Sequence, residues 1–211
     1  MRRLPVSVLA MLAFAVLIGG CATPPPVPSD VFYRLDVPES GRALAADARF
    51  DLTLEIRPFD ADGILGERAL VYAEGDHGAL LQYSYHFWVE GPSQAVQREL
   101  ADHLRATEGF TRVLTPRFRV RPDIEILGRI GRLEQVIVGE GLARVVVELE
   151  IGAERVTRDG GLLVLNTYRV DAPAADASPA SAATAMRAAL RDIFDQFTGD
   201  LAAALAAQPR R

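Results

Sequence analysis

Residues 142–156 read LARVVVELEIGAERV, a stretch in which apolar and polar side chains alternate. A period of two predicts a β-strand with one face in the core. The residues that share this predicted core face are Ala143, Val145, Val147, Leu149 and Ile151. Glycine turns at 139–141 and 159–161 connect the strand to DIEILGRIGRLEQVIV (123–138) and to LLVLNTYRV (162–170). Three long strands joined by tight turns predict an antiparallel meander.

A second block of strand signals lies earlier in the chain. Residues 50–58 read FDLTLEIRP and alternate cleanly, and residues 31–37 read VFYRLDV and alternate as well. ALVYAE (69–74) and LLQYSYHFWVE (80–90) lie on either side of Gly75-Asp76-His77-Gly78, a turn sequence that predicts a β-hairpin.

Two segments change to helical spacing. Residues 91–110 place Val96, Leu100 and Leu104 one turn apart on a single face, and Pro92 suits a helix start. A longer helix is predicted over residues 179–206, with the apolar stripe Met186, Leu190, Ile193, Phe194, Phe197, Leu201 and Leu205. The sequence therefore predicts an α+β fold, in which an antiparallel or mixed sheet from two strand blocks carries two amphipathic helices packed on one face.

The first 20 residues have the layout of a secretory signal. Arg2 and Arg3 precede the apolar stretch Val6–Ile18, which at about 13 residues is shorter than the roughly 20 that a transmembrane helix needs. Residues 17–21, LIGGC, resemble the bacterial lipobox. The resemblance implies cleavage before Cys21 and a diacylglycerol on its sulfur. An ordinary signal peptide with an incidental cysteine is the alternative.

These features divide the chain into four parts. Residues 1–20 are the predicted signal peptide, and residues 21–30 are the lipidated cysteine with a proline-rich tether. Residues 31–207 are predicted to form a single α+β domain in the periplasm, and residues 208–211 are a tail. Cys21 is the only cysteine, so no disulfide is expected, and its covalent lipid is the only attached group expected; no cofactor is predicted.

The composition argues against nucleic-acid binding and gives no support for catalysis. The formal net charge is −5 and no run of basic residues occurs, whereas phosphate binding needs clustered cations. The histidines His77, His86 and His103 fall in a turn, a strand and a helix, and none has a partner at metal-ligand spacing. We therefore predict neither a catalytic nor a metal-binding residue. A hydrolase that depends on His86 or His103 is a third alternative.

The strand that contains QYSYHFWVE, residues 82–90, is unusually aromatic. Its predicted core face carries Leu81, Tyr83, Tyr85, Phe87 and Val89. Trp88 and His86 fall on the opposite face, where Trp88 either anchors a partner or a lipid or packs against the start of the first helix. Trp88, Tyr72 and His86 are the candidate partner-binding residues.

The order of these motifs resembles the ABC-type transport auxiliary lipoproteins, a family that includes the lipoprotein of the paraquat-inducible system. The matching features are the lipobox, FYRLD (32–36), LVYAE (70–74), VEG (89–91) before Pro92, the amphipathic helix and the closing helix. The resemblance covers most of the mature chain.

The resemblance implies an outer-membrane lipoprotein that faces the periplasm, and Ala22 after the cysteine favours sorting to that membrane. It implies as partners an inner-membrane ABC transporter and an MCE-domain protein, in a system that moves lipids or other hydrophobic molecules. Family members form rings, so a docking or homo-oligomeric ring component that is not an enzyme is expected. A monomeric lipid-binding or outer-membrane assembly lipoprotein is the alternative.

Overall fold

A computed structural model of the chain describes residues 27–38, 49–116, 120–157 and 160–208. The predicted signal peptide and Cys21 lie outside the described residues, so the lipidation of Cys21 stays a prediction. The strands are β1 (Val31–Tyr33), β2 (Phe50–Ile56), β3 (Asp60–Ala61), β4 (Ala69–Glu74), β5 (Leu80–Trp88), β6 (Phe110–Leu114), β7 (Ile124–Gly139), β8 (Leu142–Arg155) and β9 (Gly161–Pro173). The helices are α1 (Pro92–Ala106) and α2 (Pro179–Ala206), and a 3-10 turn spans Gly63–Gly66.

The predicted meander of three long strands is confirmed. Strand β8 pairs antiparallel with β7 on one side, as at Val147 and Leu133, and with β9 on the other side, as at Leu149 and Tyr168. Each of the five alternating residues that predicted the strand is buried. Alternation in the sequence therefore located both the strand and its core face.

The long strand β7 organises the rest of the sheet. One of its edges pairs with β8, and the other edge pairs in succession with β2, β3 and β4, all parallel to it. Sixteen residues make β7 about 50 Å long at roughly 3.3 Å per residue, which leaves room for several short neighbours on one edge. Strands β5 and β1 extend the sheet beyond β4, and β6 extends it beyond β2. The result is a curled, mixed sheet in the form of a half-barrel.

A register shift at Gly131 changes which residues of β7 face the core. Before the shift, Ile126 and Ile130 are buried in the core, and Ile130 pairs with Leu149. After it, Leu133 pairs with Val147 and lies in the core, so odd-numbered residues take the inner positions. A β-bulge inserts one extra residue and reverses the alternation of faces, which accounts for the change.

The two helices cover the inner face of the half-barrel, and the predicted α+β class is confirmed. Helix α1 packs on β2, β3 and β6, helix α2 packs on β7, β8 and β9, and the helices contact each other. Helix α2 begins where predicted, and the Ser178 hydroxyl caps it by accepting a 3.2 Å hydrogen bond from the Ser181 N–H. Its apolar stripe is buried, and the fully buried Phe194 and Phe197 contribute roughly 1.5–3 kcal/mol each.

Some strands differ from the prediction. The predicted strand at 31–37 ends at Tyr33, although Leu35 beyond it is buried in the core. Strand β6 was not predicted, because its five residues, FTRVL, show no clear alternation. It is held by parallel pairing with β2 and by α1, which are contacts between distant parts of the chain.

Candidate interaction site

The two faces of the aromatic strand β5 are not arranged as predicted. Leu81 and Val89, predicted to be core residues, are exposed, and Tyr85 and Phe87 are only half-buried. The pairing with β4 explains the difference: Ala69 lies opposite Phe87, whereas Val71 lies opposite Gln82. Between these two pairs the chain advances five residues along β5 but only two along β4. This irregularity in the pairing breaks the period of two on which the prediction rested.

Trp88 lies in the core and is only 3% exposed. Its backbone is held by Arg68, whose carbonyl accepts a 2.6 Å hydrogen bond from the Trp88 N–H and whose Nε donates to the Trp88 carbonyl at 3.1 Å. Trp88 lines a cavity of about 300 Å³ together with Ala95 and Arg98 of α1. This burial agrees with packing against the start of α1. A contact between Trp88 and a partner stays a prediction.

Tyr72 and His86, the other candidate residues, belong to one group of aromatic side chains on β1, β4 and β5. The Tyr33 hydroxyl and His86 Nδ1 are hydrogen-bonded at 2.9 Å. The Tyr83 and His86 rings form a T-shaped pair with 5.6 Å between their centroids. The centroids of the Tyr83 and Tyr72 rings lie 4.4 Å apart. Tyr83 therefore links the two predicted residues, although the sequence alone assigned it only to the core. We call Tyr33, Tyr72, Tyr83 and His86 the aromatic cluster.

A hydrogen bond to Gln135 connects the aromatic cluster to the centre of the sheet. The Tyr83 hydroxyl donates a 2.7 Å hydrogen bond to Gln135 Oε1, and Gln135 is fully buried. Among the described residues, the Gln135 Nε2 group has no hydrogen-bond partner. Burial, and then the neighbouring Tyr72 and Tyr33, raise the pKa of Tyr83, so its hydroxyl remains a donor at neutral pH.

The other face of β1 and β5 carries an exposed aromatic pair. The Phe32 and Phe87 rings lie 5.7 Å apart, and the Arg68 guanidinium lies 5.5 Å from the centre of the Phe32 ring. Phe32 is 52% exposed, so its ring is accessible to another molecule, whereas Phe87 is half-buried. A cation held over a ring in this way contributes about 0.5–1 kcal/mol at an exposed site.

A second exposed apolar surface lies near the end of the meander at which β7 begins, β8 ends and β9 begins. Leu127, Gly152 and Leu165 face one another across β7, β8 and β9, and the exposed Leu162 lies three residues before Leu165 on β9. Gly152 has no side chain, and a Cβ there would approach Leu165 Cδ1 to 3.4 Å. We call Leu127, Leu162 and Leu165 the leucine cluster. The signal for it was the apolar run at 162–165, in which neighbouring residues cannot all face one core.

The histidines have separate environments. His77 lies in the turn between β4 and β5, and His86 belongs to the aromatic cluster. His103 is buried between the helices, with its Nε2 3.5 Å from Asp195 Oδ1. Burial lowers the pKa of His103, and the nearby Asp195 carboxylate opposes part of that shift. Among the described residues, no group of three or more histidine, aspartate or glutamate side chains is placed to hold a metal ion.

The family is decided by sequence comparison. The sequence model of the ABC-type transport auxiliary lipoprotein component matches residues 33–197, which include β2 to β9, α1 and most of α2. The chain belongs to this family. The predicted resemblance is confirmed, and this auxiliary lipoprotein has the half-barrel described above as its folded part. A search of curated protein sequences finds no significant match.

Solved structures show the same fold at low identity. Protein XCC0632 from Xanthomonas campestris, assigned to family DUF330, is 16% identical with a TM-score of 0.71, and the match covers 83% of this auxiliary lipoprotein and 97% of that chain. Hypothetical protein CT253 from Chlamydia trachomatis is 7% identical with a TM-score of 0.52, over 75% of this chain and 100% of that one. At such identities the likeness concerns the fold alone. None of the described helices is long and apolar enough to cross a membrane.

Proposed function

We propose that this lipoprotein is the outer-membrane accessory of an ABC transport system with an MCE-domain protein, and that it acts by docking rather than by catalysis. The observation that carries the proposal is the family match over residues 33–197. In this proposal the lipid on Cys21 holds the chain to the inner leaflet of the outer membrane. The cargo is a lipid or another hydrophobic molecule that crosses the periplasm.

The proposal includes self-association into a ring, with the leucine cluster in contact with a second copy of the chain. Leu162 and Leu165 lie on β9, which pairs only with β8 among the described strands. An unpaired strand edge offers hydrogen-bonding groups to a neighbour, and the exposed leucines beside it offer apolar area. A contact between two different surfaces of identical chains closes into a ring when the rotation between copies allows it.

The experiment is affinity purification of the full-length, tagged chain from its native envelope after mild cross-linking. We expect an MCE-domain protein and ABC transporter subunits among the cross-linked partners. The matched control is a Cys21→Ala chain, which cannot carry the lipid and should lose both the membrane fraction and the partners. A chain that is recovered alone, as a monomer, contradicts the proposal.

Lipidation is tested separately by metabolic labelling with a palmitate analogue. We expect label on the wild-type chain and none on Cys21→Ala. A Cys21→Ala chain that is processed normally and still sediments with the envelope would overturn the lipid anchor. A lipid that remains bound to a monomer in native mass spectrometry would support the alternative, a monomeric lipid-binding lipoprotein.

A further inference from the structure

Two hairpin turns lie side by side at one end of the sheet. The turn between β4 and β5 is joined to the end of β7 by a 2.9 Å hydrogen bond from the Gly75 N–H to the Ile137 carbonyl. Arg144, at the start of β8, forms ion pairs with Asp76 of that turn and with Asp171 near the end of β9. We call residues 74–81 and 137–144 together the hairpin end.

The hairpin end exposes apolar side chains beside both turns. Leu142 is 65% exposed and Val138 is 54% exposed, on either side of the turn at 139–141. Leu80 and Leu81, which follow the other turn, are exposed as well. Apolar side chains grouped at the tips of turns are available to contact an apolar medium.

The chain enters the sheet from the direction of the hairpin end. Strand β1 runs parallel to β5, with Val31 opposite His86. Because β5 starts at Leu80, in the hairpin end, the residues before Val31 approach β1 from that side. Val27 and the three residues after it are exposed.

The length of chain before β1 limits the distance between the lipid and the hairpin end. Ten residue steps separate Cys21 from Val31, and a fully extended chain spans at most about 35 Å over them. From His86 back to Leu80 the sheet extends about 20 Å, at roughly 3.3 Å per residue. A lipid on Cys21 therefore reaches at most about 15 Å beyond the level of Leu80. Prolines at 24, 25, 26 and 28 favour an extended tether over one that folds back.

We propose that the hairpin end rests on the bilayer that holds the acyl chains of Cys21, with Val138 and Leu142 among the lipid headgroups. This inference rests on the proposed lipid anchor. It gives the domain a fixed orientation, with the leucine cluster near the opposite end of the meander and away from the membrane.

The charges at the hairpin end indicate which lipids it contacts. The hairpin end has one arginine, Arg144, and one histidine, His77. The acidic side chains there, counted together with the adjacent Asp171, outnumber them; they are Glu74, Asp76, Glu140 and Asp171. A surface with excess negative charge is repelled by anionic lipids. The contact therefore suits zwitterionic headgroups such as phosphatidylethanolamine and phosphatidylcholine.

The test uses the full-length, lipidated chain, reconstituted on vesicles of phosphatidylcholine and phosphatidylethanolamine. Cys21 is the only cysteine, so its thiol is blocked when it carries lipid, and one introduced cysteine takes a thiol-reactive, environment-sensitive dye. The probe positions are Leu142→Cys and Val138→Cys at the hairpin end. The matched control is Val120→Cys, an exposed apolar position (42%) that comes just before β7, at the end of this strand away from the hairpin end and outside the leucine cluster.

We expect the dye at positions 142 and 138 to show a blue shift and to be quenched by lipids with a quencher near the headgroup, while the emission of the dye at 120 remains unchanged. Addition of phosphatidylglycerol should weaken the signal at 142. Equal signals at 142 and 120, or a signal at 120 alone, overturn the orientation while the proposed function stands. Wild-type chain that itself takes the dye has a free Cys21 thiol, and that result overturns both the lipid anchor and this inference.

Discussion

Tyr83 and Gln135 are separated by 52 residues in the sequence and joined by a 2.7 Å hydrogen bond. The bond connects the irregular strand β5 to the buried centre of β7. Tyr83→Phe removes the hydroxyl and leaves a second polar atom of the buried Gln135 amide without a partner. We expect the free energy of unfolding to fall by about 1–3 kcal/mol, measured by urea unfolding.

Tyr85→Phe is the control for this change, because Tyr85 is half-buried and no hydrogen bond of its hydroxyl is seen among the described residues. Its effect should stay within about 0.5 kcal/mol. The double variant Tyr83→Phe/Gln135→Leu should recover part of the loss, since an apolar pair leaves no buried amide. A Tyr83→Phe chain as stable as the wild type would show that the bond contributes nothing.

Gly128 provides the space that Phe59 occupies in the core. A Cβ at position 128 would lie 2.2 Å from Phe59 Cε1, and Phe59 is buried. Gly128→Ala should therefore destabilise the chain by about 1–3 kcal/mol, as overpacking does. Gly139→Ala on the same strand is the control, because nothing lies within 4 Å of its Cβ position. Thermal unfolding that ranks the two variants equally would contradict this packing.

His103 makes the stability depend on pH. Burial lowers the pKa of His103 in the folded chain, so the unfolded chain binds more protons in the window just below the unperturbed value of about 6.5. The contribution of neutral His103 to the free energy of unfolding is therefore fully present above about pH 6.5. It is lost as the pH falls below that value towards the lower pKa of the folded chain. His103→Gln should flatten the fall in unfolding free energy between about pH 6.5 and pH 5. An unchanged slope would assign the acid sensitivity to other groups.

Trp88 reports directly on its own environment because it is the only tryptophan. Its burial predicts blue-shifted emission and little quenching by acrylamide in the isolated chain. Unfolding in urea should shift the emission to the red and restore the quenching. Efficient quenching in the folded chain would instead place the indole on the surface, as a partner-binding role requires.

The role of the leucine cluster in self-association is tested by measuring the mass of the oligomer that the purified chain forms. Leu165→Asp places a charge in the proposed contact between copies and should weaken association by about tenfold or more, since loss of one well-buried leucine costs at least about 1.5 kcal/mol. Ser84→Asp introduces the same charge at an exposed position on β5, outside the proposed contact, and should leave the mass of the oligomer unchanged. Native mass spectrometry distinguishes the two. A wild-type chain that is monomeric contradicts the ring.

Regular patterns in the sequence located most of the fold. The alternation from Ala143 to Ile151 and the apolar stripe from Met186 to Leu205 found β8 and α2 with their core faces, because each face packs against one core over its whole length. Strand β6 escaped detection because five residues carry too little pattern.

The faces of β5 could not be predicted because they depend on pairing between strands. The mismatch between Val71–Gln82 and Ala69–Phe87 is a property of two strands together, and no period within either strand reveals it. Within the candidate site, Tyr72 and His86 were named from the sequence, but their connection through Tyr83 and Gln135 was not. That connection depends on contacts between residues far apart in the chain.

The position of β7 also sets the order in which the chain can assemble. Before Ile124 is synthesised, β2, β3 and β4 lack the neighbour that joins them, and only the β1–β5–β4 and β2–β6 pairings are available. Long-range pairing of this kind slows folding, because distant segments must meet before their contacts form. The strands in the first half of the polypeptide therefore cannot form one sheet until β7 has been synthesised. A chain that ends before β7 can form only two separate fragments of sheet.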